Sequence, residues 1–198
     1  MKLIFSTHNQ GKIKEMREIL TGLPWEILSA EEAGVFEDVM EDGETLAENS
    51  LKKARFIVEK TGEWGMADDS GFFIDALDGR PGIYASRWLG EGLKDEEKAR
   101  LTLKKIEEIP EGQRGGYFES VVALVSPQKE EFLFSGKVLG QVAKELRGQG
   151  RTNLPYDLIF IPNGFAETFA EMSDQQKNNL SHRGLAFKKL QEFLQNYV

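Results

Sequence analysis

Gly65-Met66-Ala67-Asp68-Asp69-Ser70-Gly71-Phe72-Phe73-Ile74-Asp75 sets two like charges side by side between two apolar runs. Gly65 to Ala67 and Phe72 to Asp75 read as short strands on either side of the acidic pair. Adjacent carboxylates at a strand end add nothing to packing. They suit a site that holds a hard divalent cation against phosphate, because magnesium takes oxygen ligands, commonly one or two carboxylates plus the phosphates themselves. They equally suit a solvated acidic turn, since Asp, Ser and Gly are turn formers. The pair alone does not choose.

Working outward, residues 2–6 are apolar and short, as a buried strand is. After a polar turn, Ile13, Met16, Ile19 and Leu20 mark one face of a helix that ends near Gly22 and Pro24. Trp25 to Leu28 reads as a second strand. Thr45-Leu46-Ala47-Glu48 has capping-box spacing and opens a helix stopped by Gly62. A charged helix is predicted over Asp95 to Glu108, before Pro110. Tyr117 to Val125 and Glu131 to Val142 read as a β-hairpin turning at Ser126-Pro127-Gln128-Lys129. Arg147 to Pro155 is a loop, and Asp157 to Ile161 returns to strand. Ser173-Asp174-Gln175-Gln176 caps a short helix, and Leu190, Phe193, Leu194 and Tyr197 face inward from the last one. Helices alternate with strands and hairpins, which predicts an α/β fold with a mixed sheet. No repeat or linker divides residues 1–198, so a single domain is expected.

Composition narrows the chemistry. The 198 residues carry a net charge of −8, which argues against a nucleic-acid groove. No apolar stretch is long enough to span a bilayer. Met1-Lys2-Leu3-Ile4-Phe5 is too short and too soon polar for a secretory signal, so a cytoplasmic location without membrane partners is expected. There are no cysteines and only two histidines, so a bound metal must be held by oxygen.

Three further segments carry chemistry beside the acidic pair. Thr7-His8-Asn9-Gln10-Gly11-Lys12 joins a strand to a helix, where free N–H groups favour anions and Lys12 adds positive charge. It lacks the glycine spacing of the Walker P-loop, and it also reads as an ordinary capped helix start. Glu41-Asp42-Gly43-Glu44-Thr45 precedes a helix bearing Lys53, so several carboxylates and a cation could serve a metal and a phosphate together. Lys177 and Ser181-His182-Arg183 stand near the last helix, where Arg offers a forked donor set. A lone histidine such as His182 is more often structural.

Taken together, these segments resemble the inosine/xanthosine triphosphate pyrophosphatase family. The resemblance lies in Thr7 to Lys12, in Asp42 to Thr45 with Glu48-Asn49-Ser50 and Lys53, and in Ala67 to Gly71. It continues in Arg80-Pro81-Gly82-Ile83-Tyr84-Ala85-Ser86-Arg87 and in Lys177 with Ser181 to Arg183, in the family's order over essentially the whole chain. It implies an elongated mixed β-sheet flanked by helices, two lobes with a central cleft, and a magnesium- or manganese-dependent homodimer. The implied activity is hydrolysis of ITP, dITP and XTP to monophosphate and pyrophosphate, a house-cleaning of the nucleotide pool. Thr7, His8, Asn9, Gln10, Gly11, Lys12 and Lys53 match triphosphate-binding positions. Glu41 and Asp69 match metal ligands, and Asp69 also the proposed general base. Asp68 and Glu44 are supporting or additional ligands, and choosing Asp69 over Asp68 as base rests on the family match alone. Ser70, Tyr156, Asp157, Lys177, His182 and Arg183 match substrate contacts, the last three reading a carbonyl at the purine 6-position.

One segment departs from the pattern. The family's Gly-Gly-Phe-Gly-Tyr-Asp-Pro is here Gly150-Arg151-Thr152-Asn153-Leu154-Pro155-Tyr156-Asp157-Leu158. Leu154 stands where the base-stacking phenylalanine is expected, and such stacking is worth roughly 1–3 kcal/mol per base. An altered or relaxed base preference is therefore expected. Two alternatives follow: a nucleotide-binding or regulatory paralogue without turnover, and a pyrophosphatase for other modified nucleotides.

Overall fold

The computed structural model describes residues 1–90, 92–151 and 153–197. Seven strands form one sheet: β1 (Lys2–Phe5), β2 (Glu26–Ser29), β3 (Trp64–Ile74), β4 (Pro81–Gly82), β5 (Gly115–Val125), β6 (Glu131–Val142) and β7 (Phe160–Pro162). The helices are α1 (Gln10–Ile19), α2 (Leu46–Thr61), α3 (Asp95–Lys105), α4 (Asp174–Leu180) and α5 (His182–Tyr197). The strand order is β2-β1-β3-β5-β6-β7, with β4 on β3. β1 runs parallel to β2 and β3, and the other pairings are antiparallel, which makes the mixed α/β sheet the sequence predicts.

The acidic pair corrects the sequence reading. No turn separates two short strands there; β3 runs unbroken for 11 residues, and Asp68 and Asp69 lie in register with Val122 and Val121 of β5. The local turn propensity of Asp-Asp-Ser-Gly loses to tertiary pairing, because each polar side chain finds a partner and the backbone a full ladder.

Period-2 geometry then sorts the strand. Trp64 and Met66 join Leu3, Phe5, Val122 and Phe187 in one apolar cluster, while Phe72 and Ile74 join Phe118, Phe160 and Phe169 in another. Asp68 and Ser70 share that face of β3 and fall between the two cores. On the opposite face, Ala67 packs beneath Ala54 and Val58 of α2, and Asp69 points the same way.

The edge of β3 is also interrupted. β1 pairs with Trp64 to Met66 and β4 with Phe72 and Phe73, so among the described residues no strand lies beside residues 67–71 on that edge. The cleft opens there.

Helix ends follow local chemistry. Thr45 Oγ1 accepts from the Glu48 N–H at 3.1 Å, but the Glu48 carboxylate reaches the Glu44 N–H, one residue earlier than a capping box requires. Gly62 ends α2 at φ +70°, a conformation suited to glycine. Ser173 and Gln176 form the full reciprocal box. Helix α3 ends at Lys105 rather than Glu108, since the chain tightens into turns before Pro110. Pro155–Leu158 forms a 3-10 turn, so the strand predicted from Asp157 begins at Phe160. Close approach fixes α5: a Cβ added to Gly136 of β6 would lie 2.1 Å from the His182 carbonyl oxygen.

Candidate active site

The cleft holds a cavity of about 420 Å³. Its wall includes Thr7, His8, Asn9, Lys12, Glu41, Lys53, Asp69, Ser70, Leu154, Tyr156, Asp157, His182 and Arg183. Segments from both ends of the chain thus meet at one place.

At one end lies the β1–α1 turn. Asn9 caps α1 by accepting from the Lys12 N–H at 3.1 Å, and its own N–H donates to Thr7 Oγ1 at 3.2 Å. These bonds fix the turn so that Lys12 reaches into the cleft, with Nζ 3.0 Å from Asp68 Oδ1. Gln10 and Gly11 lie in the first turn of α1 and off the cavity wall. His8 stands at the rim, 3.4 Å from Asp38.

Across the bare edge, α2 delivers Lys53. Its ammonium donates to Glu41 at 2.6 Å and to the Asp68 carbonyl at 2.8 Å, and lies 3.9 Å from Asp69. Burial opposes its charge, yet Asp69, Glu41 and Asp68 outweigh burial and raise its pKa. Arg87 donates to the Glu41 carbonyl at 3.0 Å and tethers the segment that carries it. Asn49 donates to Asp69 Oδ2 at 3.2 Å. Glu44 is exposed and off the wall.

The adjacent aspartates have opposite environments because they point to opposite faces. Asp68 is fully enclosed and lies against Lys12 and Arg183; burial pushes its pKa up, but those cations and Lys53 hold it well below the usual carboxylate range. Asp69 lines the cavity, and there burial prevails over Lys53 and Lys12, so its pKa is raised. Asp68 is therefore held as an anion off the wall, and Asp69 is the carboxylate of the pair that faces the cavity.

The other end is aromatic. His182 is buried, stacked on Phe118 with centroids 4.6 Å apart and planes 10° from parallel. Burial, then Arg183 and Lys177, lower its pKa well below the ordinary histidine value, so the ring is neutral. Tyr156 donates its hydroxyl to the Ala85 carbonyl at 2.9 Å. Arg183 lines the cavity and is held by Glu15, by Asp68 at 3.1 Å and by Ser70 Oγ at 3.3 Å. Lys177 does not reach the wall. Its ammonium is buried between Glu15 and Asp157, and behind the cavity.

Several residues in this arrangement escape a sequence reading. Glu15 is buried between Lys177 and Arg183; its one signal was a charge on the Met16–Ile19 stripe of α1, a turn before Ile19. Phe118 reads as an ordinary strand residue, and Arg151 as a loop residue. Thr152 lies outside the described residues.

As a donor set, Glu41 and Asp69 offer hard oxygens in one cavity with Lys53 between them. Among the described residues no group of three or more His, Cys, Asp or Glu is arranged to enclose a metal. The two carboxylates Glu41 and Asp69 are the kind of donors a hard cation takes when phosphate oxygens and water complete its shell. Among the described residues no helix is long and apolar enough to cross a membrane.

Known proteins share this architecture. A dITP/XTP pyrophosphatase of Caldanaerobacter subterraneus is 40% identical over 195 residues, 98% of this chain and 96% of that protein. One from Geobacter sulfurreducens is 40% identical over 193 residues, 98% of this chain and 96% of its own length. The solved structure of a HAM1 protein from Coxiella burnetii superposes with a TM-score of 0.88 at 33% identity, covering 99% of each chain. The model of the Ham1 family matches residues 3–193, a span that includes every wall residue of the cavity. With that match running from within β1 to near the end of α5, this chain belongs to the Ham1 family.

Proposed function

We propose that the chain hydrolyses dITP, ITP and XTP between the α- and β-phosphates, releasing a monophosphate and pyrophosphate, and so clears non-standard purines from the nucleotide pool. One observation carries the reading: a single cavity joins Lys12, Lys53, Glu41 and Asp69 at one end to Arg183, Asp157 and an aromatic wall at the other. Relatives named dITP/XTP pyrophosphatase, 40% identical over nearly the whole chain, support it.

Thr7, Asn9, the free N–H groups of Gln10 and Gly11, and Lys12 and Lys53 take the triphosphate, with His8 at the rim. Glu41 and Asp69 would hold magnesium or manganese, which when bound neutralises phosphate charge and orients the chain of phosphates. Asp69 orients the attacking water and accepts its proton. Asp68 keeps Lys12 and Arg183 in place. Ser70, Leu154, Tyr156 and Asp157 shape the base end, and Lys177 acts from behind by holding Asp157. Arg183, a donor without acceptor capacity, matches a 6-carbonyl and is left unpaired against the adenine amino group. The same reading has residues 1–198 act as one domain, as a homodimer in the cytoplasm.

Pyrophosphate release from dITP, ITP, XTP, dUTP and the standard ribonucleotides, with and without magnesium, tests this. Magnesium-dependent release favouring the first three is expected; no release from any would remove the catalytic reading. Lys12→Ala should raise KM for dITP by roughly tenfold, as loss of a charge-assisted contact does. The comparison is made at physiological ionic strength, where distant charges are screened. An unchanged KM would take Lys12 out of the phosphate site.

A further inference from the structure

Arg151 sits in the stretch that departs from the family pattern, and four groups hold it. Its side chain is 19% exposed. Nε donates to Asp174 at 2.9 Å, Nη1 to the Phe169 carbonyl at 2.6 Å, and Nη2 to the Met172 carbonyl at 2.7 Å. Nη1 also lies 3.6 Å from Asp157 Oδ2. Every edge of the guanidinium is used, an arrangement that the forked geometry of Arg permits and a lysine ammonium does not reproduce.

The segment that follows is cavity wall. Asn153, Leu154, Pro155, Tyr156 and Asp157 all line the cleft. Asn153 has φ +59°, and its N–H donates to Asp95 of α3 at 2.7 Å while its carbonyl accepts from Asn9 at 3.4 Å. The loop therefore spans from α3 to the α1 cap, and its near end is tied down by Arg151.

Arg151 also completes an electrostatic line. Lys14, Asp174, Arg151, Asp157, Lys177, Glu15, Arg183, Asp68 and Lys12 alternate in sign, each within 4 Å of the next. Without Arg151, the buried Asp157 would share Lys177 with Glu15 and have no second cation. Glu15 keeps Arg183 as well, so the loss would fall on Asp157, a buried carboxylate left with one shared cation, which is costly.

We propose that Arg151 is a positioning residue for the base end of the cavity, fixing Asp157 and the Asn153–Pro155 wall against the purine without touching it. This rests on the function proposed above, and it makes the clamped Asn153–Pro155 segment a further determinant of base binding beside Arg183 and the aromatic wall.

The test is equilibrium binding by calorimetry without divalent metal, so that the proposed magnesium-dependent hydrolysis does not consume the probe, with dITP and with inorganic tripolyphosphate as probes. Arg151→Gln should bind dITP roughly tenfold more weakly, the loss expected of a charged hydrogen-bonding partner, and tripolyphosphate as the parent does. Arg151→Lys keeps the charge without the fork and should fall between the two; it serves in the same comparison if Arg151→Gln does not fold. Equal dITP affinity in parent and variant would overturn the proposal. So would parallel losses for dITP and tripolyphosphate, which would mark general damage. A parent that binds dITP without hydrolysing it even with magnesium would sink the catalytic reading and leave this test standing.

Discussion

Asp69→Asn should lower kcat by at least about 10²-fold, the usual contribution of a positioned general base, while the protein stays folded and still binds dITP. The substitution keeps the shape of the side chain. Asn49 donates to Asp69 Oδ2, and an amide oxygen there accepts the same bond. What is lost is the charge and the ability to take a proton. Asp69 is a largely buried carboxylate with another, Glu41, nearby, and burial raises its proton affinity. Holding that charge has a folding cost, so the melting temperature of Asp69→Asn should equal or exceed the parent's. Full activity in the variant would remove Asp69 from the chemistry. A collapse in melting temperature would make it a structural residue instead.

The opposite outcome is expected at Glu15. Removing one partner of a buried ionic group costs about 3–5 kcal/mol, because Lys177 and Arg183 are left facing each other with less compensation. Glu15→Gln should therefore lower the melting temperature by on the order of 10 °C for a chain of this size. The effect depends on pH with a definite sign. Burial favours the neutral acid, but Arg183 and Lys177 prevail and hold Glu15 at about 2, against 4.5 for a free side chain. A depressed carboxylate stabilises the folded state above the free value and loses that contribution as pH falls. The gap in stability between parent and Glu15→Gln, about 3 kcal/mol from the shift at 1.36 kcal/mol per unit, should close between pH 4.5 and about 2. Thermal melts across that range measure it. A gap that does not vary with pH would mean that Glu15 acts through packing rather than charge.

What could be read from the sequence was what depends on near neighbours. The apolar faces of α1 and α2, the hairpin of β5 and β6, and the Ser173 cap follow local rules, and the structure has them where those rules put them. The strand through Asp68 and Asp69 was misread because turn propensity is local, whereas the cations that neutralise Asp68 arrive from α1 and α5. The motif of Lys177 matches a substrate contact; only three-dimensional packing shows that its ammonium is held by Glu15, off the wall, and by Asp157, which lines the cavity. Glu15 owes its role to residues more than 160 positions away, and three of the four partners of Arg151 lie 18 to 23 positions away; no spacing rule reports such partners.

The alternation along β3 constrains how this enzyme family member can change. A one-residue slip of β3 against β5 would turn every side chain to the other face. Asp68 would then lie under α2 and lose Lys12 and Arg183, while Met66 and Phe72 would leave the two cores they join. The pairing that folds the sheet and the pairing that assembles the site are a single choice of register. Insertions or deletions within residues 64–74 should survive selection only in steps of two residues, which leaves the loops around the cleft, such as Gly150 to Leu158, as the segments free to vary.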